Sequence, residues 1–132
     1  MGKNITNCAL AVCFAVALSA YESGMKMRLI RTSYAECGYT VSEMPTCNIG
    51  RIKGCQDRFK AAAAGIEITV MKFSDKKHAD GYIKRLRDIR GYDCSVLSQR
   101  NDTYVCIASI DSKMENNYER LMTGLDIFRK FF

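Results

Sequence analysis

The sequence predicts a single α+β domain whose last half is a ferredoxin-like βαββα unit: an antiparallel sheet covered by helices on one face, preceded by an apolar amino-terminal helix. Three observations predict it. Ile66, Ile68 and Val70 alternate with Glu67, Thr69 and Met71. Two amphipathic stripes follow, Ala79 to Ile89 and Met114 to Phe132, at three- and four-residue steps. Between the stripes lie two runs rich in branched side chains, separated by turn formers. A chain of 132 residues suits one domain, and 48% hydrophobic with 26% charged residues suits a packed core.

Taken in order, Ile5 to Tyr21 carries no charge and follows a single lysine, Lys3. This is the pattern of a secretory signal peptide over residues 1–20, with small residues Ala17 and Ser19 or Ala20 at the cleavage site. As a helix the stretch would reach about 25 Å, slightly short of a hydrocarbon core of roughly 30 Å, so a retained membrane anchor is the second reading. A buried core helix is the third. Residues 21–132 are then one domain. Met25 to Thr32 alternates as a strand, and Thr40 to Met44 is a weaker strand. Ile52, Cys55, Phe59, Ala62 and Ala63 predict a short amphipathic helix over Arg51 to Ala64, ended by Gly65.

Ile66 to Phe73 reads as a strand, and Ser74 or Asp75 caps a helix to Arg90, which Gly91 ends. Tyr92 to Ser98 and Thr103 to Ile110 form a hairpin about Gln99-Arg100-Asn101-Asp102. The capping box Ser112-Lys113-Met114-Glu115 starts the closing helix, with Met114, Tyr118, Leu121, Met122, Leu125, Phe128 and Phe132 as its apolar stripe.

The stretch ITVMKFSDKKHADGYIKRL, beginning at Ile68, the pair Gly91-Tyr92 and the strand Tyr104 to Ile110 resemble the sporulation-related repeat (SPOR) domain over Ile66 to about Leu125. That family typically has Gln and Gly where this chain has Thr69 and Met71, and Gly where it has Ala108. The resemblance implies a non-enzymatic module that binds glycan strands of peptidoglycan on an open sheet face. From alternation alone, Ile68, Val70, Cys94, Val96, Val105 and Ile107 face the helices. Glu67, Thr69, Met71, Ser95, Leu97, Tyr104 and Cys106 then line the open face, and Thr69, Met71, Ser95, Leu97 and Tyr104 are the candidate binding residues. Either they form a platform for a ligand, or Met25 to Thr46 covers them as further core.

Cleavage after Ser19 or Ala20 removes Cys8 and Cys13 from the seven cysteines, and the remaining five in an exported chain point to disulfides with one thiol left over. A hairpin turn of two or four residues sends Cys94 and Cys106 to opposite faces, leaving Cys37, Cys47, Cys55 and Cys106 as the disulfide candidates and Cys94 as the odd thiol. No CxxC element is present, so no metal site is expected, and no cofactor motif appears. His78 is the only histidine, without a serine or cysteine motif beside it, so no enzyme is expected. The net charge of +6 favours anionic partners, yet Lys72, Lys76, Lys77, Lys84, Arg85, Arg87 and Arg90 lack interleaved aromatics. They read as a solvated helix face rather than a nucleic-acid site. The expected function is an exported envelope binding module with a glycan or protein partner, periplasmic, extracellular or membrane-anchored. The alternative is a structural subunit of a membrane-associated or extracellular assembly.

Overall fold

The computed structural model describes residues 22, 24–44, 52–90, 95–110 and 118–132. A helix over residues 24–36 (α1) comes first. Then follow β1 (Thr40–Glu43), β2 (Cys55–Ala63), β3 (Ile66–Phe73), α2 (Lys76–Arg90), β4 (Ser95–Arg100), β5 (Tyr104–Ile110) and α3 (Tyr118–Arg129). All strand pairs are antiparallel, in one open five-stranded sheet of order β1-β2-β3-β5-β4. Because β5 lies between β3 and β4, those two run parallel to each other, and α2 is the crossover that a parallel return needs. The chain is therefore a mixed α+β protein with three described helices. The amino-terminal helix and the residue 1–20 segment expected from the sequence lie outside the described residues, as do Cys47, Cys94 and the capping box at Ser112.

Two elements differ from the sequence reading. Met25 to Thr32, expected as a strand, lies within α1, because Met27, Ile30 and Tyr34 are the buried positions, at three- and four-residue steps. Strand alternation would have buried Leu29, which is 49% exposed. Arg51 to Ala64, expected as a helix, contains β2 instead. Its alanines favour a helix locally, but β1 and β3 pair with it on both sides, and Phe59 and Ala61 bury alternately under α1. Tertiary pairing overrides propensity there.

The sheet is covered on both faces, not on one. Ile66, Ile68 and Val70 of β3, with Phe59, Ala61, Cys106 and Ala108, pack against Met27, Ile30 and Tyr34 of α1 and Leu121, Leu125 and Phe128 of α3. On the other side Met71, Phe73 and Val105 pack against Ala79 and Ile83 of α2. Gly124 lets α3 approach the sheet closely, since a Cβ there would lie 2.8 Å from Cδ1 of Ile68. The Tyr34 hydroxyl donates to the Gly124 carbonyl at 2.5 Å and holds α1 to α3. Tyr118, expected in the apolar stripe of α3, is 64% exposed.

Arg31 ties α1 to the sheet edge. Its Nη1 and Nη2 donate to the two oxygens of Asp57 at 3.0 and 2.7 Å, its Nε donates to Glu43 at 2.9 Å, and its guanidinium lies 4.8 Å from the Phe59 ring centroid. A planar fork can satisfy both carboxylates at once, whereas an ammonium cannot. Arg31→Ala is expected to destabilise the protein by about 2 kcal/mol, with Arg31→Lys recovering less than half, read as the shift in urea midpoint at constant slope.

Candidate functional site

The α2 face divides into two parts. Where β3, β5 and β4 meet α2 the side chains are apolar: Met71, Phe73, Val105, Ile107 and Leu97. Toward β1 the same face is polar. Register aligns two rows across the strands, Ser42-Lys60-Thr69-Ile107 and Thr40-Ala62-Glu67-Ser109. Lys60 Nζ lies 3.2 Å from Glu67 Oε1, and the Ser109 hydroxyl donates to the Glu67 carbonyl at 3.4 Å. None of these side chains is fully buried, so they offer donors and acceptors to a ligand.

This polar surface opens into a shallow groove of about 840 Å³ at the β2–β3 hairpin, lined by Gly38, Thr40, Ala62, Ala63, Ala64, Gly65, Ile66, Glu67, Ser109 and Ile110. A second groove of about 480 Å³ lies on the other side of the hairpin, between it and α3, and includes Cys37, Tyr39, Arg120, Asp126 and Lys130. Burial, with Cys37 adding to it, pushes the Tyr39 phenol up, so it stays a neutral donor. Ala64 and Gly65 turn the hairpin with φ of 48° and 82°. Glycine adopts such angles freely, but alanine does so at a cost of roughly 1–2 kcal/mol. The methyl of Ala64 thus stands, under strain, on the wall of both grooves.

Of the residues expected to bind, Thr69 lies on this polar surface, and the β4 position Ser95 extends its second row beyond Ser109. Met71 is fully buried beneath α2, and Leu97 packs half-buried against the same helix cluster. Tyr104 points to the opposite face, where it is 5% exposed among the residues of α1 and α3. Ser95 opens β4 opposite Ser109. The displacement of Tyr104 has one cause. The turn consists of three residues, Asn101 to Thr103, so paired residue numbers in the hairpin sum to an even value and even-numbered positions of both strands share a face. Cys106 and Ala108 therefore lie with Val70 and Ile68, and Val105 and Ile107 take the α2 side. Sequence reasoning missed Thr40, Ser42, Lys60 and Ser109, three of them through the misread of β2. The alternation of Phe59, Ala61 and Ala63 ahead of Gly65 was the available signal.

No disulfide joins the described candidates Cys37, Cys55 and Cys106. Cys106 is buried under α1, 3.9 Å from the Tyr34 hydroxyl, and burial pushes its thiol up to about 12. Cys55 sits on the other face, with Met71 and Phe73. Cys37 shares a groove with Ala63, and β2 separates Ala63 from Cys55 by about 26 Å at 3.3 Å per residue. All three are free thiols.

His78 has a partner that the sequence did not reveal. Asp75 caps α2, accepting from the His78 backbone N–H at 2.9 Å and lying 2.7 Å from its Nδ1. The ring packs against Gly54, whose φ of 79° and lack of a Cβ it requires, since a Cβ would lie 2.4 Å from His78 Cγ. Cys55 is next in sequence, but its Sγ is directed to the Asp57 carbonyl at 3.6 Å and burial raises its pKa. An activated thiol needs the reverse shift. The His78–Asp75 pair therefore acts as a helix cap. Among the described residues no group of three or more His, Cys, Asp or Glu side chains converges as metal ligands would.

Two outcomes follow from this geometry. Ala64→Gly should raise stability by up to about 1 kcal/mol in thermal or urea unfolding, because it relieves the left-handed alanine. The His78 backbone N–H, then its ring, hold the Asp75 carboxyl below its ordinary value of 3.8. The unfolded chain therefore binds the proton first, and the stabilisation present above pH 3.8 is lost as pH falls through the lower, folded value. Asp75→Asn keeps a capping side chain and should flatten that part of the acid decline in urea midpoint.

Comparison with family models, with curated proteins and with solved structures finds no match to this chain, so its own geometry carries the functional argument.

Proposed function

We propose that this chain is a non-enzymatic, exported binding module of the cell envelope that holds glycan strands of peptidoglycan on the polar half of its α2 face. The carrying observation is the pair of aligned rows containing Ser42, Lys60 and Thr69, and Thr40, Glu67 and Ser109. Sugar hydroxyls both donate and accept. A surface that mixes an ammonium, a carboxylate and four hydroxyls on rigid strands can meet them without reorganising. The order β3-β5-β4, with β5 between two parallel strands, is the strand order of a split βαβ unit, although α2 and α3 lie on opposite faces of the sheet rather than on one. In this reading α2 narrows the binding face to its β1 side, and the hairpin groove marks where a strand of sugars leaves the sheet.

A second reading, a structural subunit, draws on the edges β1 and β4, each paired on one side only among the described residues. Pelleting the full chain with purified glycan strands tests the first. Thr69→Ala and the double substitution Lys60→Ala, Glu67→Ala should each weaken binding roughly five- to tenfold, the loss of about one hydrogen bond. Retention unchanged by either variant removes the surface from the argument. Assembly that grows with concentration, without retention on glycan, favours the subunit.

A further inference from the structure

The opposite face carries a separate cluster of cations, at the end of the sheet where α1 begins. Lys26 of α1 places its ammonium 5.8 Å from the Tyr104 ring centroid and 4.5 Å from that of Phe132. Lys72 of β3 approaches the same Tyr104 ring at 5.3 Å and donates to the Phe73 carbonyl at 2.6 Å. Arg100 of β4 is the register partner of Tyr104 on its other side and, among the described residues, donates to the Gln99 carbonyl. Two ammonium groups thus lie over one aromatic pair, with Arg100 beside it in the strand register. Among the described residues none of the three has a carboxylate within salt-bridge distance, although Arg31, Lys60, Lys76 and Arg129 all do.

We infer that the surface formed by Lys26, Lys72 and Arg100 around Tyr104 and Phe132 docks on an anionic lipid surface. Cations suit the headgroup zone, where each interacts with lipid phosphates, and the partly exposed Phe132 is the ring placed to meet the interface, while the buried Tyr104 ring lies beneath the two lysines. Sequence adjacency favours a bilayer over a soluble polyanion. The uncharged stretch Ile5 to Tyr21 immediately precedes α1, and Lys26 lies in the helix's opening turns. A stretch of that length and composition associates with apolar surroundings, and a neighbouring basic patch is the second signal that durable membrane binding requires. The patch would then set the orientation of the domain, with the α1 amino terminus toward the lipid. Burial lowers the pKa of Lys72, and no neighbouring carboxylate offsets this, so a lipid phosphate would supply the missing counter-charge.

The full chain is mixed with neutral phosphatidylcholine vesicles and with vesicles containing phosphatidylglycerol. The ratio of the two partition coefficients is read, which cancels the contribution of the uncharged stretch. The ratio should exceed one, fall with added salt, and drop about fivefold for each of Lys26→Gln, Lys72→Gln and Arg100→Gln. Circular dichroism confirms that each variant is folded. The triple variant Lys84→Gln, Arg85→Gln, Arg87→Gln removes three charges, more than any one patch variant, from the exposed side of α2 and should leave the ratio within about twofold of the parent. An equal loss in that variant, a ratio of one in the parent, or displacement by inorganic phosphate beyond that by chloride at the same ionic strength would each overturn the proposal. The outcome is independent of glycan binding, which uses the other face.

Discussion

The structure depends on the burial of both faces of β3. Ile66, Ile68 and Val70 fill the layer beneath α1 and α3, while Met71 and Phe73 fill the layer beneath α2. The strand is paired on both sides, so it cannot shift register without moving every one of these side chains into the wrong layer. β5 obeys the same rule beside it, with Cys106 and Ala108 on one side and Val105 on the other. The helices, the grooves and both proposed surfaces take their positions from that alternation. The α2 layer needs only half the sheet, and the polar rows occupy what it leaves.

Where local signals and tertiary contacts agreed, the sequence was readable. β3, α2 and the β4–β5 hairpin fall within a few residues of their expected positions, because each has a clear period and turn chemistry at its ends. The two misread elements both lie before Ile66. In α1, Met25, Met27 and Leu29 alternate as well as they step, and only the burial of Ile30 and Tyr34 separates the two periods. In β2, the alanine run has a strong helical preference that pairing on both sides overrides.

The candidate site was less legible for a reason of counting. Which side chains of β5 share a face with those of β4 depends on the length of the Asn101 to Thr103 turn, and one residue more or fewer reverses all of them. A reading that took the branched Val105 and Ile107 as partners of Ile68 and Val70 was chemically reasonable and inverted. It carried Tyr104 and Cys106 onto the ligand face, whereas the register places both beneath α1 and α3. Thr69 and Met71 share a face as the alternation of β3 predicts, because their placement depends on β3 alone.

The hydrogen bond from Tyr34 to Gly124 joins residues 90 positions apart. Such a contact forms only after nearly the whole intervening chain has been brought to order, and the entropy of closing so long a loop has to be met by contacts made earlier. The β2–β3 and β4–β5 hairpins are local and can supply them. Loop closure thus favours an order of assembly from the middle of the chain outward, with the hairpins meeting along β3 and β5 before α1 docks against α3. Sequence changes in α1 should accordingly act on how fast the finished protein opens more than on how fast it forms.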